Sequence, residues 1–474
     1  MPTNALDWRR YGPIYLLVLT TLAIWVGSKW YYGDWFSNPC KYPAKAASLT
    51  SITLMCAAVL LSTRIRPIES FFLGLDKVYQ VHKRIGQWAF FIIIFHPLFL
   101  AADKLPDLGK FLGYMWFQSP KGDPYIIGLN FGVAVFLLMA LLIALTLWIK
   151  PPYGVWKKTH EWFGLVVVLA VTHILVLDAD VAKYPVLRVW VYLLLLCALG
   201  GFVYIRFLYR FVGPRAAYTV SEKQKAGDIL ELTFMPREGK MDFKPSQFVY
   251  LKVHGKGISS EPHPFSIASG YNLEARLKLG IRQVGDYTRS LDLLEPGDPV
   301  TLYGPYGRFS EAFLSAERDC VFIGGGIGIT PFLGMWHVAL HSEERLPKQD
   351  VPERLRHSHP EIIRTWKSPR VHLYYVCRSD RDASFDKDIR QEISSSHFHG
   401  FGPLEKRGHH YETYISSGMG RFSAQYVIEQ GRGDLRKKFI FICGPHPMME
   451  SLVEQFRDIG VGLDQIIIEE FNLL

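Results

Sequence analysis

Six apolar runs, each close to the ~20 residues an α-helix needs to cross a bilayer core, crowd into the first ~210 positions of this 474-residue chain. They fall at about Tyr11–Trp30, Ala47–Thr63, Ile85–Ala102, Tyr125–Ile149, His160–Leu177 and Tyr184–Phe211. The first is long enough to span, and no small-residue cleavage pattern follows it, so it reads as a span rather than a cleaved leader. The rest of the chain reads as soluble α/β protein. This uneven distribution excludes a purely soluble enzyme, a disordered chain, and a collagen-like or repeat protein.

The net charge of +9 fits a membrane partner better than nucleic acid, because Lys and Arg form no stripe interleaved with base-stacking aromatics. Arg9, Arg10, Arg64, Arg66, Lys77, Lys83, Arg84, Lys150, Lys157, Lys158, Arg206 and Arg210 all flank one side of the spans. Asp34, Asp103, Asp107, Asp178 and Asp180 mark the other, with fewer bases. Cytoplasmic loops carry the Lys/Arg excess, so both termini and the C-terminal half are expected in the cytoplasm, with the bundle in the plasma membrane. Cys40, Cys56, Cys197, Cys320, Cys377 and Cys443 form neither a disulfide framework nor a zinc-site spacing.

Ionisable residues inside spans are functional candidates. Four histidines stand out: His82 and His96 at the start of and within the third span, His160 and His173 on the fifth. Spacings of 14 and 13 residues separate the members of each pair by roughly 20 Å in depth. Two histidines at each of two depths match the needs of two stacked, bis-histidine b-type haems. Lys83, Arg84, Lys157 and Lys158 supply positive charge for propionates at the bilayer edge. At ~100° per residue, His96 returns to within about 40° of the His82 face, but His173 lands about 140° from His160. The fifth span must therefore be overwound, or irregular near Gly164, if both its histidines are ligands.

A boundary near Gly213–Pro214 divides a membrane domain (residues 1–212) from two soluble ones. Residues 213–314 alternate in short runs such as Tyr218–Val220, Ile229–Phe234 and Phe248–Val253, which predicts a small antiparallel β-barrel. Residues 315–474 read as an α/β nucleotide-binding domain. It opens with the buried strand Cys320–Ile323 and the loop Gly324-Gly325-Gly326-Ile327-Gly328-Ile329-Thr330-Pro331. Glycines let the backbone approach a pyrophosphate, Thr330 is expected to cap the next helix, and Pro331 suits its first turn. Arg378, after a second strand, is placed to pair with a ribose 2′-phosphate, favouring NADPH over NADH. The polar stretch from His341 to Arg370 reads as an exposed insertion, and His357, His359, His409 and His410 as surface histidines.

His263-Pro264-Phe265-Ser266, Gly285-Asp286-Tyr287-Thr288, Tyr303-Gly304-Pro305-Tyr306-Gly307, the Gly324–Thr330 loop and Cys443-Gly444-Pro445 resemble the ferredoxin–NADP reductase-type dehydrogenase domain. Joined to six spans with paired histidines, the whole chain resembles the superfamily of NADPH oxidases and transmembrane ferric reductases. That resemblance implies FAD held by His263, Pro264, Phe265 and Ser266, with its diphosphate near Gly285, Tyr287 and Thr288. It implies NADPH across Gly324, Gly325, Gly326, Ile327, Gly328, Thr330, Arg378, Cys443, Gly444 and Pro445. The reacting centre would then comprise Ser266, Cys443 and Phe471, whose ring would stack on the flavin. Departures are the three residues after Phe471, the lack of a calcium-binding loop, and Leu100 where animal oxidases carry a further histidine.

The resemblance implies transfer of electrons from cytosolic NADPH through FAD and two haems to an external acceptor, with O2 giving superoxide as the leading reading. A ferric or other metal chelate is the alternative acceptor. A third reading, an electron-transfer module serving a partner protein, fits less well, since the fused dehydrogenase supplies its own electrons.

Overall fold

The computed structural model describes residues 5–270, 276–341, 368–398, 404, 408–431 and 433–470. The insertion expected over most of His341–Arg370, with His357 and His359, and the expected flavin-stacking Phe471 lie outside the described residues. The chain divides into two units, Met1–Val212 and Gly213–Leu474.

In the first unit six helices are long and apolar enough to cross a membrane: Arg10–Tyr32, Lys41–Leu61, Leu75–Ala102, Pro124–Ile149, Gly154–Leu177 and Pro185–Val212. The second, third and fifth begin a turn or more before the apolar runs read from sequence. Polar residues such as Asp76, Lys77, Lys157 and Lys158 continue the helix there, so hydropathy alone misses those turns. The third helix breaks at Ile94, between Leu75–Ile93 and Phe95–Ala102. Pro97 explains the break, because it has no N–H to give the carbonyl one turn back. The fifth breaks at Trp162, between Tyr153–Glu161 and Phe163–Leu177. The break falls two residues before Gly164, near which an irregularity is expected if both His160 and His173 are ligands. Inside the bundle Trp25, Leu49, Cys56, Tyr184, Leu187, Val191 and Leu195 form one packed cluster. Leu16, Val186, Val189 and Leu196 are exposed, as lipid-facing positions should be.

The second unit holds two sheets. The first consists of β1 (Arg215–Ala226), β2 (Ile229–Glu238), β3 (Phe248–Val253), β4 (His263–Ser266), β5 (Leu277–Arg282) and β6 (Pro299–Tyr306). It is antiparallel with order β4-β3-β6-β1-β2-β5. Alternate residues (Tyr218, Val220, Leu230, Leu232, Val249, Leu251, Leu277, Leu279) turn inward to a common core. The edges are joined by the isolated bridge Ile267–Leu279 and by the Lys278 N–H donating to the Ser269 hydroxyl, so the sheet curls into a half-barrel.

The second sheet consists of β7 (Cys320–Gly325), β8 (Val371–Cys377), β9 (His410–Ile415), β10 (Phe439–Cys443) and β11 (Ile466–Glu469), parallel, in the order β11-β10-β7-β8-β9. Its central strands β7, β8 and β10 are buried on both faces, as a sheet covered by helices on each side demands. Cys320 and Phe322 pack with Phe332, Met335 and Trp336 of the helix Thr330–His341. Val321 and Ile323 pack on the opposite face with Met449, Leu452 and Phe456 of the helix His446–Asp458.

Three expectations are corrected here. β7 runs on through Gly324 and Gly325, so the glycine turn starts only at Gly326, whose φ of +54° favours a residue without Cβ. A short 3-10 turn, Gly326–Ile329, then leads into the helix, and the Thr330 hydroxyl donates backward to the Ile327 carbonyl at 3.0 Å instead of capping. His409 is no surface histidine. It is 6 % exposed, and its Nδ1 accepts from the Val371 N–H at 3.2 Å while its ring meets Trp336 edge-on. Polar neighbours in the sequence concealed that burial.

Candidate functional site

The four intramembrane histidines fall into two facing pairs. The ring centres of His82 and His160 lie 6.1 Å apart, and those of His96 and His173 lie 6.5 Å apart. With metal–nitrogen bonds of about 2 Å, two imidazoles on opposite sides of one ion have ring centres about 6 Å apart. Three of the four are also oriented as ligands should be. Nδ1 of His82 donates to the Ala58 carbonyl at 2.8 Å, that of His96 to Ala44 at 3.0 Å, and that of His173 to Gly128 at 2.9 Å. A backbone acceptor on Nδ1 fixes the tautomer and leaves the Nε2 lone pair for a metal. His160 differs: its Nδ1 is buried and has no hydrogen-bond partner among the described residues, while its ring stacks on Trp156.

Glycines make room at two places in the bundle, one of them beside a histidine ring. A Cβ on Gly132 would lie 2.7 Å from Cε1 of His173, and one on Gly164 would lie 2.2 Å from the Phe202 ring. The fourth span therefore reaches His173 both through Gly132 and through the Gly128 carbonyl. Neither glycine nor any of the three anchoring carbonyls was legible in the sequence, because each contact joins different helices. The spacing, the donor set and the glycine clearance all fit two bis-imidazole haems.

In the half-barrel, β4 carries His263, Pro264, Phe265 and Ser266. The His263 ring stacks on Tyr287 at 3.5 Å between centres and 14° between planes, and Phe265 lies parallel to Tyr287 at 6.5 Å. Ser266 is 5 % exposed, and its Oγ has no hydrogen-bond partner among the described residues. An orphaned buried hydroxyl costs about 1–3 kcal/mol, so it points to a polar ligand atom such as one on a flavin ring. Gly285 precedes the short helix Asp286–Ser290. The Thr288 hydroxyl accepts from the Gly285 N–H at 3.0 Å and the Val284 N–H at 3.1 Å, which holds that turn closed.

The glycines of the parallel sheet cluster at the carboxyl ends of β7 and β10, where open α/β sheets bind ligands. Cys443 pairs with Gly324 across these strands. A Cβ on Gly328 would lie 2.5 Å from the Cys443 carbonyl oxygen, and one on Gly325 would lie 2.6 Å from Met448 and 3.0 Å from Pro445. Gly324–Gly328 and Cys443–Pro445 thus form one closely packed cradle, which only glycines permit. Thr330 is buried beneath it. The Cys443 side chain is fully buried, and burial, with Glu469 alongside, pushes its thiol well above the usual range. Arg378 is exposed beyond the end of β8.

Three families match successive stretches of the chain. Residues 47–171 match a ferric reductase like transmembrane component, 215–295 an FAD-binding domain, and 322–454 an oxidoreductase NAD-binding domain. Over 257 residues the chain is 25% identical to the propane 2-monooxygenase reductase component of Rhodococcus jostii (strain RHA1), which covers 52% of this chain and 60% of that protein. Over 216 residues it is 29% identical to ferric reduction oxidase 5 of Arabidopsis thaliana, covering 42% of this chain and 27% of the relative. The FAD/NAD-binding domain of a nitric oxide dioxygenase from Vibrio cholerae O1 biovar El Tor superposes with a TM-score of 0.42 at 20% identity, over 55% of this chain and 99% of that one. The chain thus spans less than two thirds of either curated relative. It carries, in this order, stretches that match a ferric reductase like transmembrane component, an FAD-binding domain and an oxidoreductase NAD-binding domain.

Proposed function

We propose that the protein carries electrons from NADPH on the cytoplasmic side of the plasma membrane, through FAD and two b-type haems, to O2 on the outer side, releasing superoxide. The observation that carries this reading is the pair of facing imidazole couples, His82 with His160 and His96 with His173, each at the separation one metal ion needs. FAD supplies the conversion of a hydride into single electrons, and the haems supply steps across the apolar layer that one centre cannot bridge.

The chain's residues bind and orient. His82 and His160 hold the inner haem, and His96 and His173 the outer one. Ala58, Ala44 and Gly128 fix three of the imidazoles, so the ligand geometry is set before any metal arrives. The His263–Ser266 strand and the Gly285–Thr288 turn would hold FAD, to which the buried Ser266 hydroxyl could offer a hydrogen bond. The glycine cradle takes the NADPH diphosphate, and Arg378 meets the 2′-phosphate. No protein acid or base is needed for hydride or electron transfer.

Support for O2 comes from the end of the bundle that carries the aspartates. Asp34 pairs with Lys183 at 2.6 Å, Asp180 with Lys29 at 3.0 Å, and Asp178 with Lys45. These carboxylates are already engaged and do not present a cluster to a ferric chelate, whereas O2, small and uncharged, needs no docking group. A ferric acceptor is the second reading, favoured by the matches to ferric reduction oxidases 5 and 4 of Arabidopsis thaliana. Purified protein supplied with NADPH in air, without iron, decides between them. Superoxide formation at the rate of NADPH consumption is expected. NADPH consumption that starts only when a ferric chelate is added overturns the O2 reading.

A further inference from the structure

Away from the cofactor-binding residues, two helices of the parallel-sheet layer bring together two histidines and a glutamate. His337 and His341 are one turn apart on the helix Thr330–His341, so both project from the same face. Glu392 reaches them from the helix Asp386–Phe398. The His337 Nδ1 lies 2.5 Å from Glu392 Oε1, and the two imidazole rings are 4.3 Å apart. One ligating atom from each of the three lies within 4.8 Å of the other two, and all three side chains are partly exposed.

We propose that His337, His341 and Glu392 form a site for a divalent ion of the zinc class. Two neutral imidazoles and one carboxylate are a donor set that zinc takes, with a water completing the tetrahedron. Bonds of about 2.0–2.2 Å place tetrahedral ligands about 3.4 Å apart, so closure needs side-chain rotations of about an ångström and no movement of the helices. The second nitrogen of His341 is already ordered as in metal-bound histidines, its Nδ1 donating to the His337 carbonyl at 2.9 Å. No other group of three His, Cys, Asp or Glu among the described residues is close enough to hold an ion.

The position gives the site a consequence. His337 lies against the turn after β4, where a Cβ on Gly270 would stand 2.2 Å from its ring. The same helix packs on that turn again at Gly334, where a Cβ would lie 2.7 Å from the Ser269 carbonyl oxygen. An ion bound to His337 therefore links the two helices directly and braces the turn leading from the half-barrel.

The test is zinc titration of the full-length, detergent-purified protein against a chromophoric chelator. Elemental analysis separates bound zinc from haem iron. One zinc per chain is expected, with a melting temperature that rises with free zinc because only the native state binds it. His341→Ala and Glu392→Gln should each weaken zinc at least about tenfold and remove the thermal shift, whereas His254→Ala, which alters an exposed histidine in the other sheet layer, should change neither. Glu392→Gln preserves the shape of a partly exposed side chain, and its flavin content and zinc-free melting temperature report whether it folds. Zinc affinity unchanged in Glu392→Gln and His341→Ala, or lowered equally in His254→Ala, overturns the proposal. Cobalt absorption bands of tetrahedral type in the wild type, lost in both site variants, would support it independently.

Discussion

His96 and His173 face each other with ring centres 6.5 Å apart, and each hangs from a carbonyl of a helix other than its own, Ala44 for the first and Gly128 for the second. The second and fourth spans thereby set an angle that the third and fifth cannot set alone. Replacing His173 with Ala should lower the haem content from two per chain to about one, leaving the His82–His160 pair filled. Pyridine haemochrome quantitation against protein concentration measures this. A variant that retains both haems removes His173 from the ligand set. Gly132→Ala pushes a methyl into the same ring, and should lower haem content or shift the haem spectrum without removing a ligand.

Arg378, exposed beyond the end of β8, is the residue proposed to meet the NADPH 2′-phosphate. A hydrogen bond to a charged group contributes about 1.5–3 kcal/mol, so Arg378→Ala should raise the NADPH KM about tenfold or more while NADH turnover stays nearly constant. Steady-state kinetics with both donors decide it. An equal loss for both would give Arg378 a structural role.

At the glycine cradle, a methyl at Gly328 would meet the Cys443 carbonyl oxygen at 2.5 Å and the Gly444 Cα at 2.8 Å, both backbone atoms. Gly328→Ala should destabilise the soluble half by about 1–3 kcal/mol and weaken dinucleotide binding, while haem content remains that of the wild type. Thermal melting read by flavin fluorescence, beside a haem spectrum, separates these effects.

The loop carboxyl of Asp34 is held down from 3.8 to about 2 by hydrogen bonds from Lys183 and Tyr184. Its folded value is the depressed one, so its ionisation stabilises the fold above pH 3.8, and that contribution disappears as pH falls through about 2. Asp34→Asn should therefore be less stable than wild type near neutrality, with the gap narrowing through that acid window. Melting curves of both proteins from neutral pH downward test this. A gap that stays constant at every pH would show that the charge contributes nothing.

Much of the architecture was legible before any coordinates, because its determinants are local. Apolar runs of bilayer length announce helical spans whatever their neighbours do, since a backbone in lipid must satisfy its hydrogen bonds within itself. Histidine spacings of 14 and 13 residues placed the intramembrane histidines at two depths, and called for an irregularity near Gly164 if both histidines of the fifth span are ligands; the helix breaks at Trp162. Alternation and glycine runs announced the two sheets. What tertiary structure alone decided are the contacts between segments distant in sequence. The carbonyls of Ala58, Ala44 and Gly128 turn the imidazoles, Phe202 fills the space that Gly164 leaves, and Tyr287 stacks on His263. His409 looked like a surface residue beside His410, yet the strand pairing of β8 with β9 seats it against Trp336. Glu392 gave no sign of meeting His337, because the helices that carry them become neighbours only when the parallel sheet assembles beneath both. Periodicity and composition report what a segment must bury, whereas the partner it buries against is chosen by the packing of the whole chain.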